Sequence, residues 1–447
     1  MTKREILLSI ILCVGILTQL SPQIRIILGP FFILFLSVTI YFGFLKRNIF
    51  NKTIKQFSSA IIAGLLFIAL AAWRLNGYFS TKAILASFIV YPGIILMAMT
   101  ALSALKNTND RMRRNVKNIV FIGWTMSMAL GIPVLISNPM AARYLTSHGF
   151  DEENSAFAIR GVGNFSVYMA FAVVFPILFN IVVQKKSGIS KYLSLLLLLL
   201  AAVSVYLSSF AMASMILTVN IILYLLAYLV MMKKNKMITA LLFCVIIGIL
   251  GYHVEEIRSL DAIEKISDKI SSFTKGISDE GLIYGDPTNR IYWLYLEMKT
   301  FIKSPIIGYI PENNNLDLPI YNHSSLGDFL SLFGLPIALL WIWVVYVYFW
   351  YSIKNTEKRF MRLGKKISII SFIAAGIMNP VWNNPVIVIG MAVFFLPEKM
   401  KQGRKSREND YGKNKKEALR ESNWEKTVTE TASNKSIVAF KACKKGI

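Results

Sequence analysis

Apolar runs long enough to cross a membrane recur along almost the whole chain. A bilayer core of about 30 Å requires roughly 17 to 25 apolar residues per helix. Hydrophobic residues make up 55% of the 447 positions and charged residues only 17%, which excludes an ordinary soluble domain. The pattern predicts an all-α polytopic membrane protein with about twelve transmembrane helices. The predicted spans are Ile6–Leu20, Ile26–Leu45, Phe57–Trp73, Ala83–Leu105, Asn118–Ser137, Phe165–Val183, Tyr192–Phe210, Ala213–Met232, Met237–Tyr252, Leu326–Ile353, Ile367–Asn379 and Asn384–Pro397.

The formal net charge of +24 is typical of proteins that bind nucleic acid, but the positions of the charges indicate another cause. Basic residues cluster in every second loop between the predicted spans, as the positive-inside rule describes. This pattern predicts a multi-pass protein of the cytoplasmic (inner) membrane, surrounded by membrane lipids, with both termini in the cytoplasm and no nucleic-acid partner. The clustered residues are Lys46, Arg47, Lys52, Lys55, Lys106, Arg111, Arg113, Arg114, Lys117, Lys185, Lys186, Lys191, Lys233, Lys234, Lys236, Lys354, Lys358, Arg359, Arg362, Lys365 and Lys366.

The sequence divides into a membrane domain, residues 1–397, and a tail, residues 398–447. The tail is charged and poor in aromatic residues, so we expect it to be a disordered, basic cytoplasmic segment. Within the membrane domain, one long polar loop of about residues 253–325 separates the ninth and tenth spans and is predicted to lie on the outer face. Two amphipathic helices are predicted in this loop. One runs from Val254 to Phe273, and the other is opened by Asp286-Pro287 and ended by Ser304-Pro305.

The last two predicted spans are unusual because residues 367–397 are too many for one helix and too few for two full ones. Two short helices fit best, joined by the turn Asn379-Pro-Val-Trp-Asn-Asn-Pro385. A polar turn at membrane depth is tolerated only against protein or a water-filled cavity. We therefore expect the turn to be recessed and buried, and the alternative is a short hairpin with a capping turn.

The long loop contains two residues with chemical potential, Arg290 and His323. Arg290 is predicted in the first turn of a helix, where a guanidinium and the helix dipole together suit phosphate oxygens. His323 is predicted where the loop re-enters the membrane, and a histidine that titrates near neutral pH can act as a general base on a sugar hydroxyl. The simpler alternatives are a solvated Arg290 paired with a nearby carboxylate and a His323 that is merely polar surface.

Start signals for the tenth span follow His323 directly. Ser324 or Ser325 can cap that helix, and Asp328 completes an arrangement like a capping box. The three cysteines, Cys13, Cys244 and Cys443, are scattered, so no disulfide or CxxC site is predicted.

The order of these features resembles the O-antigen ligase and O-antigen polymerase family. The specific part of the resemblance is a block with Arg290-x-x-Trp293, then Ser304-Pro305-Ile-Ile-Gly308, then His323-x-x-Leu326 and Gly334-Leu335. A second similar stretch, Arg160-Gly-Val-Gly163, ends an outer loop just before a predicted span.

The resemblance implies a glycosyltransferase that needs no metal or other cofactor and inverts the anomeric centre. Its donor would be an oligosaccharide linked to undecaprenyl diphosphate, its acceptor a glycan or lipid, and its place the outer face of the membrane. Arg290 and Arg160 would bind the diphosphate, and His323 would activate the acceptor hydroxyl. A chain-length regulator is a possible partner.

The chain departs from the family pattern at two positions. Many members carry a Ser-Arg pair at the tight turn after the seventh span, where this chain has Ser209-Phe210. Arg74, at an outer span end, is a candidate to replace the missing phosphate contact. Members also often have His-Asn where this chain has His323-Ser324.

Three functions follow as hypotheses. The leading hypothesis is polymerisation of lipid-linked repeat units of O-antigen or a similar surface polysaccharide. Ligation of finished glycan to lipid A-core, as in lipopolysaccharide assembly, comes second. A polysaccharide transporter or flippase is the alternative of a different class. Against it, no repeated half is evident and intramembrane charges are nearly absent.

Overall fold

The computed structural model describes residues 3–29, 31–76, 85–105, 107–108, 110–147, 152–184, 188–231, 290–309, 324–356 and 358–396. All of these lie in one compact unit, Met1–Glu398. His323, the predicted span Met237–Tyr252, the predicted helix from Val254 to Phe273 and the predicted tail fall outside the described residues. Predictions about them stay predictions.

The described part of the chain consists of sixteen α-helices and a short π-helical turn, Ala86–Val90, and it contains no strand. This confirms the all-α class. In chain order the helices are α1 (Lys3–Leu20), α2 (Pro22–Leu28), α3 (Phe31–Gly43), α4 (Arg47–Arg74), α5 (Tyr91–Leu105), α6 (Asp110–Leu130), α7 (Ile132–Ser137), α8 (Ala141–Ser147), α9 (Glu152–Ile159), α10 (Phe165–Val183), α11 (Ile189–Leu207), α12 (Ala211–Met231), α13 (Arg290–Lys303), α14 (Ser325–Lys354), α15 (Arg359–Met378) and α16 (Pro385–Phe395).

Six helices of the described chain are long and apolar enough to cross a membrane, or seven if the bent pair α1 and α2 counts as one span. These helices are those of a multi-pass membrane protein, and the predicted number of twelve is not confirmed. The six are Arg47–Arg74, Ala86–Leu105, Asp110–Ser137, Phe165–Val183, Ile189–Leu207 and Ser325–Lys354.

The second predicted span, Ile26–Leu45, does not form as one helix. Its first residues belong to α2, which is bent by 106° from α1. Gly29 ends α2 with a φ of 73°, a left-handed conformation that costs glycine little. The apolar run therefore continues as a separate helix, α3, because the backbone is broken within it.

Helix α10 forms the centre of the bundle. Nearly all of its side chains are buried, and it packs against α11, α12, α15 and α16. Its bounds, Phe165–Val183, agree with the predicted span at both ends. Pro176 lies inside it without ending it, as expected where neighbouring helices surround the backbone.

The turn between α15 and α16 is buried in protein, as predicted. Asn379 and Asn383 are 1% and 6% exposed. The indole of Trp341 donates to the Trp382 carbonyl (3.1 Å), and that of Trp382 donates to the Phe372 carbonyl (3.1 Å). Helix α15 is longer than predicted, since it begins at Arg359 and not near residue 367.

Candidate functional site

The predicted site begins with α13, which spans Arg290–Lys303. Arg290 is the first residue described in this helix, and its backbone alone is described. The helix ends directly before Ser304-Pro305, which confirms the predicted stop signal. His323 lies outside the described residues, one position before the N-cap of α14.

The segment after α13 packs into a break in α14, and we call this junction the Gly308–Gly334 clasp, formed by residues 304–309 and 331–335. The amide of Tyr309 donates to the Ser331 carbonyl (2.7 Å), and the amide of Leu335 donates to the Pro305 carbonyl (2.8 Å). Both hydrogen bonds join the segment to the same turn of α14. Residues 304–309, which precede His323 in the chain, and residues 331–335, which follow it, therefore pack against each other.

Glycine is required at both centres of the clasp. Gly308 and Gly334 have φ angles of 78° and 75°. A Cβ at Gly308 would lie 2.2 Å from the Leu332 carbonyl oxygen, and one at Gly334 would lie 2.3 Å from the Ile306 oxygen. Because these neighbours are backbone atoms, a side chain could not be accommodated by a rotamer change.

Arg74, at the end of α4, contacts the clasp. Its Nη2 donates to the Gly308 carbonyl (2.8 Å), and its buried Nε has no hydrogen-bond partner among the described residues. Arg74 therefore lies against the segment that leads towards His323. No hydrogen bond joins Arg74 to the Ser209 turn in the described residues, and its predicted phosphate contact stays a prediction.

A different arginine, Arg143, reaches the Ser209 turn. Its Nη2 donates to the Ser209 carbonyl (2.8 Å), and Ser209 has a positive φ of 59°. The Ser209 hydroxyl donates in turn to the Pro139 carbonyl (3.3 Å). Burial lowers the pKa of the Arg143 guanidinium from its ordinary value, and the side chain remains half-buried. Arg143 thus places a cation at the turn where Ser209-Phe210 lacks one.

Arg160 lies just after α9 and is exposed. It lines an open cleft of about 450 Å³. Its guanidinium, which carries five N–H donors, has no hydrogen-bond or carboxylate partner in the described part of the chain. The other residues that line the cleft are Leu130, Pro133, Val134, Ser137 and Ile159.

Arg143 and Arg160 belong to neighbouring elements at the same end of the bundle. Helix α8, which carries Arg143, packs against α9, after which Arg160 follows. The Thr146 hydroxyl of α8 accepts from the Phe165 amide at the start of α10 (3.0 Å). The two arginines are therefore held around the loop that precedes the central helix.

The start of α14 is anchored on the buried α15–α16 turn. Ser324 is the N-cap, and its hydroxyl accepts from the Gly327 amide (2.9 Å). Ser325 instead donates to the Asn379 carbonyl (3.0 Å) and accepts from the Trp382 amide (2.9 Å). Of the two serines predicted as possible caps, Ser324 caps the helix. The chain that follows His323 is held by both.

Two buried carboxyl groups meet at the contact between α13 and α14. Glu297 is 0% exposed and Asp328 is 2% exposed. Burial, and after it the charge of Asp328, raise the pKa of Glu297 to about 10. With Ser324 as the N-cap, the third helical position is Gly327, so Asp328 is not at the predicted capping-box position. It belongs instead to an acid pair that sequence analysis missed.

Signals for the missed residues exist in the sequence. Arg143 shares its short loop with Arg160. Glu297 lies between Leu294 and Phe301, at the helical spacing of a buried face. A glutamate in that position is a polar exception on an apolar stripe.

The described residues bring Arg74 together with the clasp, Glu297 with Asp328, and Arg143 with Ser209. His323 and the side chain of Arg290, the other predicted members of the site, lie outside the described residues. No group of three or more His, Cys, Asp or Glu side chains that could hold a metal ion occurs in the described ranges.

Comparisons of the chain with protein-family models, with curated proteins and with solved structures found no match.

Proposed function

We propose that this chain is a membrane glycan transferase that polymerises oligosaccharide repeat units linked to undecaprenyl diphosphate on the outer face of the cytoplasmic membrane. The observation that carries the proposal is the Gly308–Gly334 clasp. Residues 304–308 and 334–335, which are part of the block on which the resemblance rests, meet in this junction between α13 and α14, and Arg74 donates to it. The segment between Arg290 and His323 therefore starts and ends on neighbouring helices, as a shared site requires.

The proposed reaction is a direct displacement at the anomeric carbon. The acceptor hydroxyl oxygen attacks this carbon, His323 takes the hydroxyl proton, and the bond between the carbon and the diphosphate oxygen breaks. The undecaprenyl diphosphate leaves with the bonding electron pair, and the anomeric configuration inverts. Because the leaving group is a stable anion, the main requirement is fixed positive charge beside it.

Arginines meet that requirement in this chain. Arg160 has free donors beside an apolar cleft, and Arg143 places a second guanidinium at the Ser209 turn. Guanidinium forks match diphosphate oxygens in a bidentate manner. We assign Arg290, Arg160 and Arg143 to the diphosphate. Arg74 supports the clasp because its guanidinium already donates to Gly308.

The test is glycan transfer by the purified protein in liposomes that contain undecaprenyl-diphosphate-linked repeat units. We expect a ladder of longer lipid-linked glycans. His323→Ala should lower the rate by about 10²- to 10⁴-fold, the usual worth of a general base. His253→Ala serves as the matched control, since it removes a histidine from the same predicted loop and should leave the rate unchanged.

Other outcomes would redirect the proposal. Transfer of glycan to lipid A-core without lipid-linked polymer would indicate a ligase, and movement of the glycan across the vesicle without a new glycosidic bond would indicate a transporter. In cells, deletion should leave a single capped repeat. Accumulation of lipid-linked polymer would contradict polymerisation.

A further inference from the structure

Glu297 is a buried acid that the proposed reaction does not use. It lies two turns after Arg290 in α13, and its side chain is fully buried against α14. Neither of its carboxyl oxygens receives a hydrogen bond from an N–H or hydroxyl group of the described residues. Its side-chain neighbour is Asp328, in the first turn of α14.

The backbone of α14 is shaped to receive this carboxyl group. A Cβ at Gly327 would lie 1.6 Å from Oε2 of Glu297, so the carboxyl group occupies the space that any side chain at position 327 would need. Gly327 is also the residue whose amide is capped by Ser324. The glutamate therefore packs directly on the capped first turn that follows His323.

Two carboxyl groups in contact, both buried, cannot both be ionised at low cost. An ionised carboxylate only accepts hydrogen bonds, whereas a protonated one can donate. A single proton between Glu297 and Asp328 converts a repulsive contact into a short, charge-assisted hydrogen bond. This accounts for the two Glu297 oxygens, which accept no other hydrogen bond among the described residues.

The neighbouring charged groups do not remove the repulsion between Glu297 and Asp328. From α14 the group that acts on Glu297 is Asp328. On α13 itself Lys299 and Lys303 are exposed. Helix α15 also packs on α13, and its basic residues lie in its first turns, far from the Gly376 carbonyl that meets Ser324. These are Arg359, Arg362, Lys365 and Lys366.

We propose that Glu297 and Asp328 share one proton and form a positioning pair that holds the helix beginning at Arg290 against the first turn of α14, directly after His323. The assignment rests on the proposed function, because the pair would fix the distance between Arg290 and His323. Glu297 acts through these elements and does not touch the substrate.

The test compares Glu297→Gln with Glu297→Ala in the full-length protein. Glutamine keeps the shape and can donate to Asp328 without a titrating proton, so its rate near neutral pH should stay within about threefold of the natural one. Alanine removes the link, and misplacement of the reacting groups should cost about tenfold to a hundredfold. Thr300→Val is the matched control, since among the described residues its hydroxyl bonds to Leu296 of the same helix.

A pH series separates positioning by a shared proton from simple packing. As the pH approaches about 10, the natural protein should lose transfer activity while Glu297→Gln retains it. Its melting temperature should also fall more steeply than that of Glu297→Gln between about pH 6 and about pH 9. Matching pH profiles of both quantities in the two proteins would overturn the pair.

The melting series needs no substrate. If the natural protein transferred no glycan but showed the steeper fall in melting temperature, the proposed function would fail and the shared proton would stand. If it transferred glycan, and both its activity and its melting temperature changed with pH as those of Glu297→Gln do, the pair would fail and the proposed function would stand.

Discussion

The cations at the two ends of the helix bundle differ in how many of their donors meet protein acceptors. At the end where α16 terminates, Lys365 is 0% exposed, and its three donors meet the Ser352 hydroxyl (2.9 Å), the Thr356 hydroxyl (2.9 Å) and the Phe395 carbonyl (2.5 Å). Lys117 donates to the adjacent Leu396 carbonyl. At the end of the Asn379–Asn384 turn, Arg160 has no such partner in the described chain.

The comparison separates cations whose donors all meet protein acceptors from cations with donors that meet none in the described residues. A lysine ammonium has three donors, and Lys365 uses all three on groups near a helix C-terminus, where positive charge is favoured. An arginine has five donors, of which Arg143 uses one on Ser209 and Arg160 uses none. Helix α16, about 16 Å long by its rise per residue, runs between the two ends.

The largest effect is expected for Lys365, whose three donors all have partners. Lys365→Met should lower the free energy of unfolding by about 3 kcal/mol, because the carbonyl and hydroxyl groups it serves would be left buried without a donor. Glycan transfer per folded molecule should not change. Thermal unfolding in detergent measures the first effect. The exposed neighbour Lys366→Met is the control, and equal melting temperatures for the two variants would break the comparison.

The opposite result is expected for Arg160. Replacing it with alanine should weaken binding of the lipid diphosphate by about 1.5 to 3 kcal/mol, the worth of hydrogen bonds to a charged group, and leave the melting temperature unchanged. Titration of undecaprenyl diphosphate in liposomes measures this loss. Arg160→Lys should recover part of it. A lower melting temperature with unaltered binding would show that Arg160 is structural.

Glu297 adds a test by pH at the same end as Arg160. In the folded protein its pKa is raised from 4.5 to about 10, by burial first and then by Asp328. Between these values the folded protein keeps a proton that the unfolded chain releases, so stability falls as pH rises, by about 1.4 kcal/mol per pH unit for one full proton. The contribution is complete below about pH 4.5 and lost above about pH 10. Glu297→Gln should show a flatter curve in thermal unfolding across this window.

Arg143→Ala should give the smallest changes in stability and binding, since one Arg143 donor meets a protein carbonyl and the others meet none in the described chain. Its one bond to the Ser209 carbonyl predicts a loss of about 1 kcal/mol in stability for Arg143→Ala. Its remaining donors predict a weaker loss of lipid-diphosphate binding than Arg160→Ala gives. Unfolding and binding assays on the same preparation measure both. Loss of stability alone would move Arg143 to the structural class.

Local signals predicted those parts of the fold that depend on neighbouring residues in sequence. The span Phe165–Val183 is bounded by Gly163-Asn164 and by Gln184, so its hydrophobic run and its helix coincide. The end of α13 at Ser304-Pro305 follows from proline geometry. The polar turn after Met378 could be predicted as buried, because the run on each side of it is short.

Hydrogen bonds between residues far apart in the sequence could not be predicted from local patterns. The bond from Arg143 to Ser209 joins residues 66 apart, and that from Arg74 to Gly308 joins residues 234 apart. Nothing in the local pattern specifies either partner. The break at Gly29 was missed for another reason, since an apolar run of suitable length outweighed a single glycine in the prediction of Ile26–Leu45 as one span.

The central claim is that the cations with free donors serve a lipid-diphosphate glycan donor for transfer at His323. Its most direct test is formation of new glycosidic bonds in liposomes that contain only the purified protein and undecaprenyl-diphosphate-linked repeat units. The account predicts longer lipid-linked glycan from the natural protein and from Lys366→Met, and almost none from His323→Ala or Arg160→Ala at limiting donor. Equal chain extension by all four folded proteins would contradict it.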